Sequence, residues 1–144
     1  MRILFLLFLL FNQNIYAKDN YEFNLNGNYS ENIKTLSDGS TFSTILTKGA
    51  FIDNLGNYGK YDCNGIREAN SDNKLVNLNV LCEILDKDHD KMWLRARRDT
   101  DKFGGVGQYT ILDATGKHIS KIGLMCTYAV TLFEDAIIIK AKCN

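Results

Sequence analysis

The chain has 144 residues with 17 basic and 17 acidic side chains, so its formal charge is zero and nothing in it selects a polyanion such as nucleic acid. No run reaches the roughly 20 apolar residues that a membrane-spanning helix needs. Proline is absent, and asparagine, lysine and isoleucine are frequent, the coding bias of an AT-rich genome; this points to a bacterial source.

Residues 1–17 read as a secretory signal peptide. Arg2 supplies the positive start, Ile3 to Phe11 is an unbroken apolar run, and Ala17 offers a small residue for cleavage before Lys18. Ile15, two before Ala17, is larger than the ideal residue at that position. No cysteine follows the run, so a lipoprotein anchor is not indicated. The expectation is a secreted or periplasmic protein whose single domain spans residues 18–144, with acidic residues one ahead of basic ones. One sequon, Asn28-Tyr29-Ser30, has meaning only in a glycosylating secretory pathway.

The remaining chain reads as strands throughout. Tyr21, Phe23 and Leu25 alternate with polar residues, the period of a half-buried strand. Asn26-Gly27 is a turn signal, and Glu31 to Gly39 is polar and irregular. Thr41 to Ile52 is β-branched and aromatic, Asp53 to Asn57 is a loop, and Gly59 to Glu68 is a third strand. In Lys74 to Leu85, Val76, Leu78, Val80, Cys82 and Ile84 share one face. Asp86 to Asp90 turns the chain and Lys91 to Arg98 returns it. A polar loop, Asp99 to Gly105, leads to a strand at Val106 to Leu112 and a turn centred on Gly116. Ile122, Leu124, Cys126, Tyr128, Val130 and Leu132 then alternate, and Ala136 to Cys143 closes the domain after a tight turn at Glu134-Asp135. Eight or nine short strands in sequence predict an all-β, antiparallel up-and-down meander. Closure into a barrel hides its edges, with a β-sandwich as the alternative.

The four cysteines set the register. The midpoint of Cys63 and Cys82 falls between Asp72 and Asn73, and that of Cys126 and Cys143 between Glu134 and Asp135. Both midpoints lie in turns already assigned from composition. Each pair therefore faces across a hairpin, which predicts bridges Cys63–Cys82 and Cys126–Cys143 and places Asn64-Gly65 within a strand. Paired cysteines agree with an oxidising compartment. The spacings lack the Cys-x-x-Cys of a redox motif and do not suit zinc.

Catalytic motifs are not found. Asp86 to Asp90 begins like a calcium loop, but Lys91 and Arg97 stand where the EF-hand needs glycine and glutamate. Gly104-Gly105-Val106-Gly107 lacks the Lys-Ser/Thr end of a phosphate loop. His89 and His118, the two histidines, join no nucleophile–acid pattern. No catalytic residue, cofactor or metal site is assigned. The pocket question rests on Trp93, Arg95 and Arg97, which share a strand face opposite Met92, Leu94 and Ala96. A turn centred between Asp88 and His89 sends the arginines inward, where Tyr61, Arg67 and Tyr128 would complete a pocket for an anionic or aromatic ligand. The other register leaves Trp93, Arg95 and Arg97 in solvent.

The run Gly105-Val106-Gly107-Gln108-Tyr109-Thr110-Ile111-Leu112-Asp113-Ala114-Thr115-Gly116-Lys117-His118, with Gly123 beyond it, resembles the glycine-punctuated strand pairs of allene oxide cyclase-like and dirigent-like barrels. Ala114 replaces the first glycine of their turn and His118 its aromatic. The resemblance implies an up-and-down, calycin-type barrel and transfers no catalytic residue. The whole chain also resembles small exported bacterial proteins with paired cysteines. The functional expectation is non-catalytic binding of a small ligand or a partner protein. The alternatives are an isomerase or cyclase working in the barrel interior, and a structural envelope protein without ligand.

Overall fold

Strict alternation of apolar and polar side chains produces eight strands in the computed structural model, which describes residues 20–98 and 105–144. The expected signal peptide and most of the Asp99–Gly105 loop lie outside the described residues. The strands are β1 (Glu22–Thr35), β2 (Thr41–Asp53), β3 (Tyr58–Ala69), β4 (Leu75–Asp86), β5 (Lys91–Arg97), β6 (Gly105–Ala114), β7 (Met125–Phe133) and β8 (Ala136–Cys143), with one 3-10 helix at Gly116–Lys121. Each pairs antiparallel with the next, and β1 pairs with β8 to close the barrel. Closure, not a sandwich, removes the sheet edges. Phe23, Leu25, Met92, Leu94, Ile137 and Ile139 line the interior, while Lys48, Lys60, Asp62, Lys140 and Lys142 face out. Among the described residues no helix is long and apolar enough to cross a membrane.

Four of the hairpins use one five-residue turn. The first residue's N–H donates to the carbonyl of the fifth in Leu36–Ser40, Asp53–Asn57, Asn70–Lys74 and Asp86–Asp90. The fourth position, Gly39, Gly56, Asn73 or His89, has positive φ in each case. In three of them a side chain at the first position accepts backbone N–H groups two and four residues on. Asp53 takes Leu55 and Asn57, Asn70 takes Asp72 and Lys74, and Asp86 takes Asp88 and Asp90. This self-capping explains why Asx residues begin these turns.

Both bridges are present, Cys63–Cys82 across β3 and β4 and Cys126–Cys143 across β7 and β8. All four cysteines are buried. In the closed order the two strand pairs lie on opposite walls.

Three local expectations change. Asn26-Gly27 makes no turn: β1 runs through it to Thr35, absorbing much of the stretch expected to be irregular. Gly27 instead faces Gly49 across β2, where the strands bend so sharply that a Cβ on either would fall 2.0–2.1 Å from a backbone oxygen. Gly49→Ala is therefore expected to cost about 1–3 kcal/mol by overpacking, measured as a lower urea midpoint. Val76 points outward, 66% exposed, because a bulge at Glu68/Ala69 shifts the register and buries Leu75 in its place. The third change is at the start of β7: Ile122 is exposed and the strand begins only at Met125, after the 3-10 helix.

Candidate functional site

The β4–β5 turn decides the first question about a site. Being of the five-residue type, it centres on Asp88, so Leu94 faces Cys82 and Trp93 faces Glu83. Met92, Leu94 and Ala96 are buried, and Trp93, Arg95 and Arg97 lie on the outer side of the wall. There the Trp93 indole donates to Glu83 Oε2 at 3.0 Å, and Lys91 sits 5.6 Å over its ring while pairing with Glu83 at 3.0 Å. The pocket built on Trp93, Arg95 and Arg97 is thereby corrected. Three other predicted residues, Tyr61, Arg67 and Tyr128, do point inward, as their phase required.

One end of the barrel is plugged. The 3-10 helix folds beneath the β2–β3 and β4–β5 turns and places His118 and Lys121 under the core. Lys121 Nζ donates to His118 Nδ1 at 3.0 Å, and His118 Nε2–H donates to Asp86 Oδ2 at 2.9 Å. An ammonium only donates and a carboxylate only accepts, so the two ends fix the tautomer of the ring between them. Lys117 reaches the same oxygen at 2.8 Å. Burial works to raise the Asp86 carboxyl, but the hydrogen bonds from Lys117, His118 and the backbone of Asp88 and Asp90 outweigh it and hold it well below the usual carboxylate range. Burial pushes the Lys121 ammonium down, and it lies 4.8 Å over the Tyr21 ring. With His118 and Asp86 fully enclosed, this chain of donors holds the floor of the barrel and offers no surface to a substrate.

Above the floor an aromatic column fills the interior. Tyr21, Phe23, Phe51 and Tyr109 stack with centroids 5.7–6.3 Å apart, and Tyr109 meets Tyr128 at 4.5 Å. Tyr128 lies flat against Gly107 on the paired strand, in space that a Cβ would take. Beyond Tyr128 the filling by the described residues stops. A cavity of about 80 Å³ opens toward the far end, walled by Ile45, Val80, Ala96, Val130, Ile137 and Ile139. Thr47 also lines it, and its buried hydroxyl adjoins the buried hydroxyl of Tyr61.

Charge gathers at the mouth. Arg67 and Arg98 both border the cavity, as does Tyr29. The Glu31 carboxylate receives the Tyr29 hydroxyl on one oxygen and the Ser43 hydroxyl on the other. Arg67 Nη1 stands 3.8 Å from Glu31, and Nη2 donates to Asn73 Oδ1 at 3.2 Å. The Arg67 and Glu31 side chains are only 11% and 8% exposed, so this is a largely desolvated group of charges. Burial lowers the Arg98 guanidinium from its ordinary value, and Arg67 adds to the fall while the phenols of Tyr128 and Tyr29 oppose it.

Tyr29, Glu31, Ser43 and Arg98 are the members that sequence reasoning passed over. The first two lie past the supposed turn at Gly27, which hid that Phe23, Leu25, Tyr29 and Glu31 share one inward phase. Arg98 shares the phase of Met92, Leu94 and Ala96, so the correct turn centre would have found it. Compared with protein-family models, with curated proteins and with solved structures, the chain matches none.

Proposed function

We propose that this chain is an exported, non-catalytic binding protein that holds a small ligand in the chamber beyond Tyr128 in its barrel. The observation that carries the reading is the cavity itself: above Tyr128 the interior holds a space of about 80 Å³ walled by Ile45, Val80, Ala96, Val130, Ile137 and Ile139. An unfilled apolar cavity forfeits the packing of its walls. A ligand with an apolar body would offset that loss. Export is supported by the apolar run behind Arg2 and by two buried disulfides, which persist in an oxidising, extracellular-type environment.

Ala96→Leu tests the reading, because it adds a branched apolar group where Ala96 lines the cavity. It is expected to abolish uptake of a neutral probe, 1-octanol, in calorimetry. It should also raise the stability of the ligand-free protein by about 1 kcal/mol, as cavity filling does. Native mass spectrometry of gently purified protein should show a retained small molecule that Ala96→Leu lacks. A variant that still takes up octanol would remove the chamber from the account and leave the outer surface, and a partner protein, as the binding element.

A further inference from the structure

We infer that the floor of the barrel is a hinged plate that opens in mild acid, when His118 takes up a proton. Two left-handed glycines bound the plate, Gly116 with φ +52° and Gly123 with φ +85°. The chain is anchored at both ends: Thr115 exchanges hydrogen bonds with Lys91 on β5, and Ile111 on β6 bonds Gly123 and Leu124. Between the hinges Ile119, Ser120 and Ile122 face solvent, and only His118 and Lys121 are buried. Polar contacts therefore hold the plate shut, not an apolar face of its own.

Those contacts admit a fixed number of protons. His118 Nδ1 accepts from the Lys121 ammonium at 3.0 Å while Nε2–H donates to Asp86 at 2.9 Å. The bond between the two nitrogens needs a lone pair, so a proton added to the ring sets N–H against N–H and breaks it. In the open plate both side chains are free to be charged, and a solvated imidazole gains its proton at about pH 6.5. Below that pH the open form binds one proton more than the shut form. By linkage the shut form is fully favoured above about pH 6.5 and loses about tenfold for each pH unit below it.

Other charged and titratable groups surround the pair. They are Asp86 on β4 with Asp88, His89 and Asp90 of the turn after it, Asp53 at the end of β2, Tyr21 ahead of β1, and Lys117 on the plate itself. Lys91 on β5 and Asp113 on β6 direct their side chains to the outer surface, Lys91 toward Glu83. Among these side chains only histidine ordinarily changes charge between about pH 5 and 8, and His89 is exposed. Burial works against the Asp86 charge, but hydrogen bonds from Lys117 and His118 outweigh it and keep the carboxyl well below its ordinary range, so Asp86 stays charged through this step.

Hydrogen exchange of the oxidised protein, followed by NMR from about pH 7.5 to about pH 5 and corrected for intrinsic rates, tests the inference. Protection of the His118 and Ile122 amides, which are bonded within this segment, should fall about tenfold per pH unit below about pH 6.5. Both should exchange ahead of β2 and β3 at every pH, the mark of a local opening. His118→Gln keeps a donor for Asp86 and an acceptor for Lys121 without a titrating ring, so its plate protection should stay level across the range. His89→Gln should behave as wild type. If His118→Gln does not fold, the wild-type ring decides: the His118 C–H resonances should move in step with the loss of plate protection. Wild-type protection that is level with pH, a loss equally steep in His118→Gln, exchange of the plate together with β2 and β3, or a His118 ring that titrates while the plate stays protected would each overturn the inference.

Discussion

Replacing Asp86 with alanine is expected to destabilise the folded chain by about 3–5 kcal/mol, the usual consequence of removing one partner from a buried charged group. Its side chain is fully enclosed, and four donors converge on it: Lys117, His118 and the backbone N–H groups of Asp88 and Asp90. Without the carboxylate, the His118 Nε2–H is left buried and unpaired, and the β4–β5 turn loses its cap. Asp86→Asn should recover little. Its oxygen can still cap the turn, but its amide would point a donor at Lys117 and at His118. The ring cannot reverse to accept from it, because its other nitrogen already receives Lys121. Urea denaturation of the three proteins checks the order, and Asp86→Asn within 1 kcal/mol of wild type would refute the donor-chain account.

The same carboxylate sets an acid limb of stability. Its pKa is depressed on folding, so the unfolded chain binds this proton more readily than the folded one. The contribution is complete above the unfolded carboxyl pKa, about 4. It is lost progressively as pH falls below that toward the lower folded value. Wild-type stability should therefore drop between about pH 5 and pH 2, and Asp86→Ala should show a shallower fall over the same range.

Opening both disulfides is expected to remove about 6 kcal/mol, roughly 3 from each. The sequence separations are 19 and 17 residues, and loops of that size restrict the unfolded chain by about this amount. Since domains of this size are commonly stable by only 5–15 kcal/mol, the reduced chain should be partly or wholly unfolded at body temperature. The two bridges lie on opposite walls and share no strand, so their effects should add. Cys63→Ala/Cys82→Ala and Cys126→Ala/Cys143→Ala should each cost about half of the total, seen as separate shifts of the urea midpoint. A loss under 1 kcal/mol for either pair would mean that its hairpin already persists in the unfolded chain.

Much of the barrel was legible because the period of a strand is short and local. Phe23 and Leu25, Cys82 and Ile84, Ile137 and Ile139 each announce an inner face within five residues. The cysteine midpoints added long-range information that alternation lacks, and the two bridges follow from them. Register failed where one residue of shift could not be seen. At Asp86 to Asp90 the turn type decides it, and the matching Asp53 to Asn57 turn, with Gly56 at the left-handed position, carried the same signature. At Glu68/Ala69 a bulge exchanged Leu75 for Val76, and no pattern of side chains marks a bulge of that kind. Gly27 misled for a related reason. Turn and sharp bend both call for a residue without a side chain, and only the facing Gly49 separates them.

By itself the sequence determined that the domain is all-β, that its strands follow one another in antiparallel order and that its cysteines pair within hairpins. These depend on neighbours in the chain and on constant offsets across a turn. Tertiary structure decided which charged residues face inward. A one-residue change in a turn reverses every side chain of the following strand, so Arg95 and Arg97 went to solvent and Arg98 to the mouth of the chamber. It also decided that Tyr109, Tyr128 and their neighbours fill one end of the barrel and that, among the described residues, a cavity remains toward the other, since the space between opposite walls depends on closure of β1 against β8 and is written in no single strand.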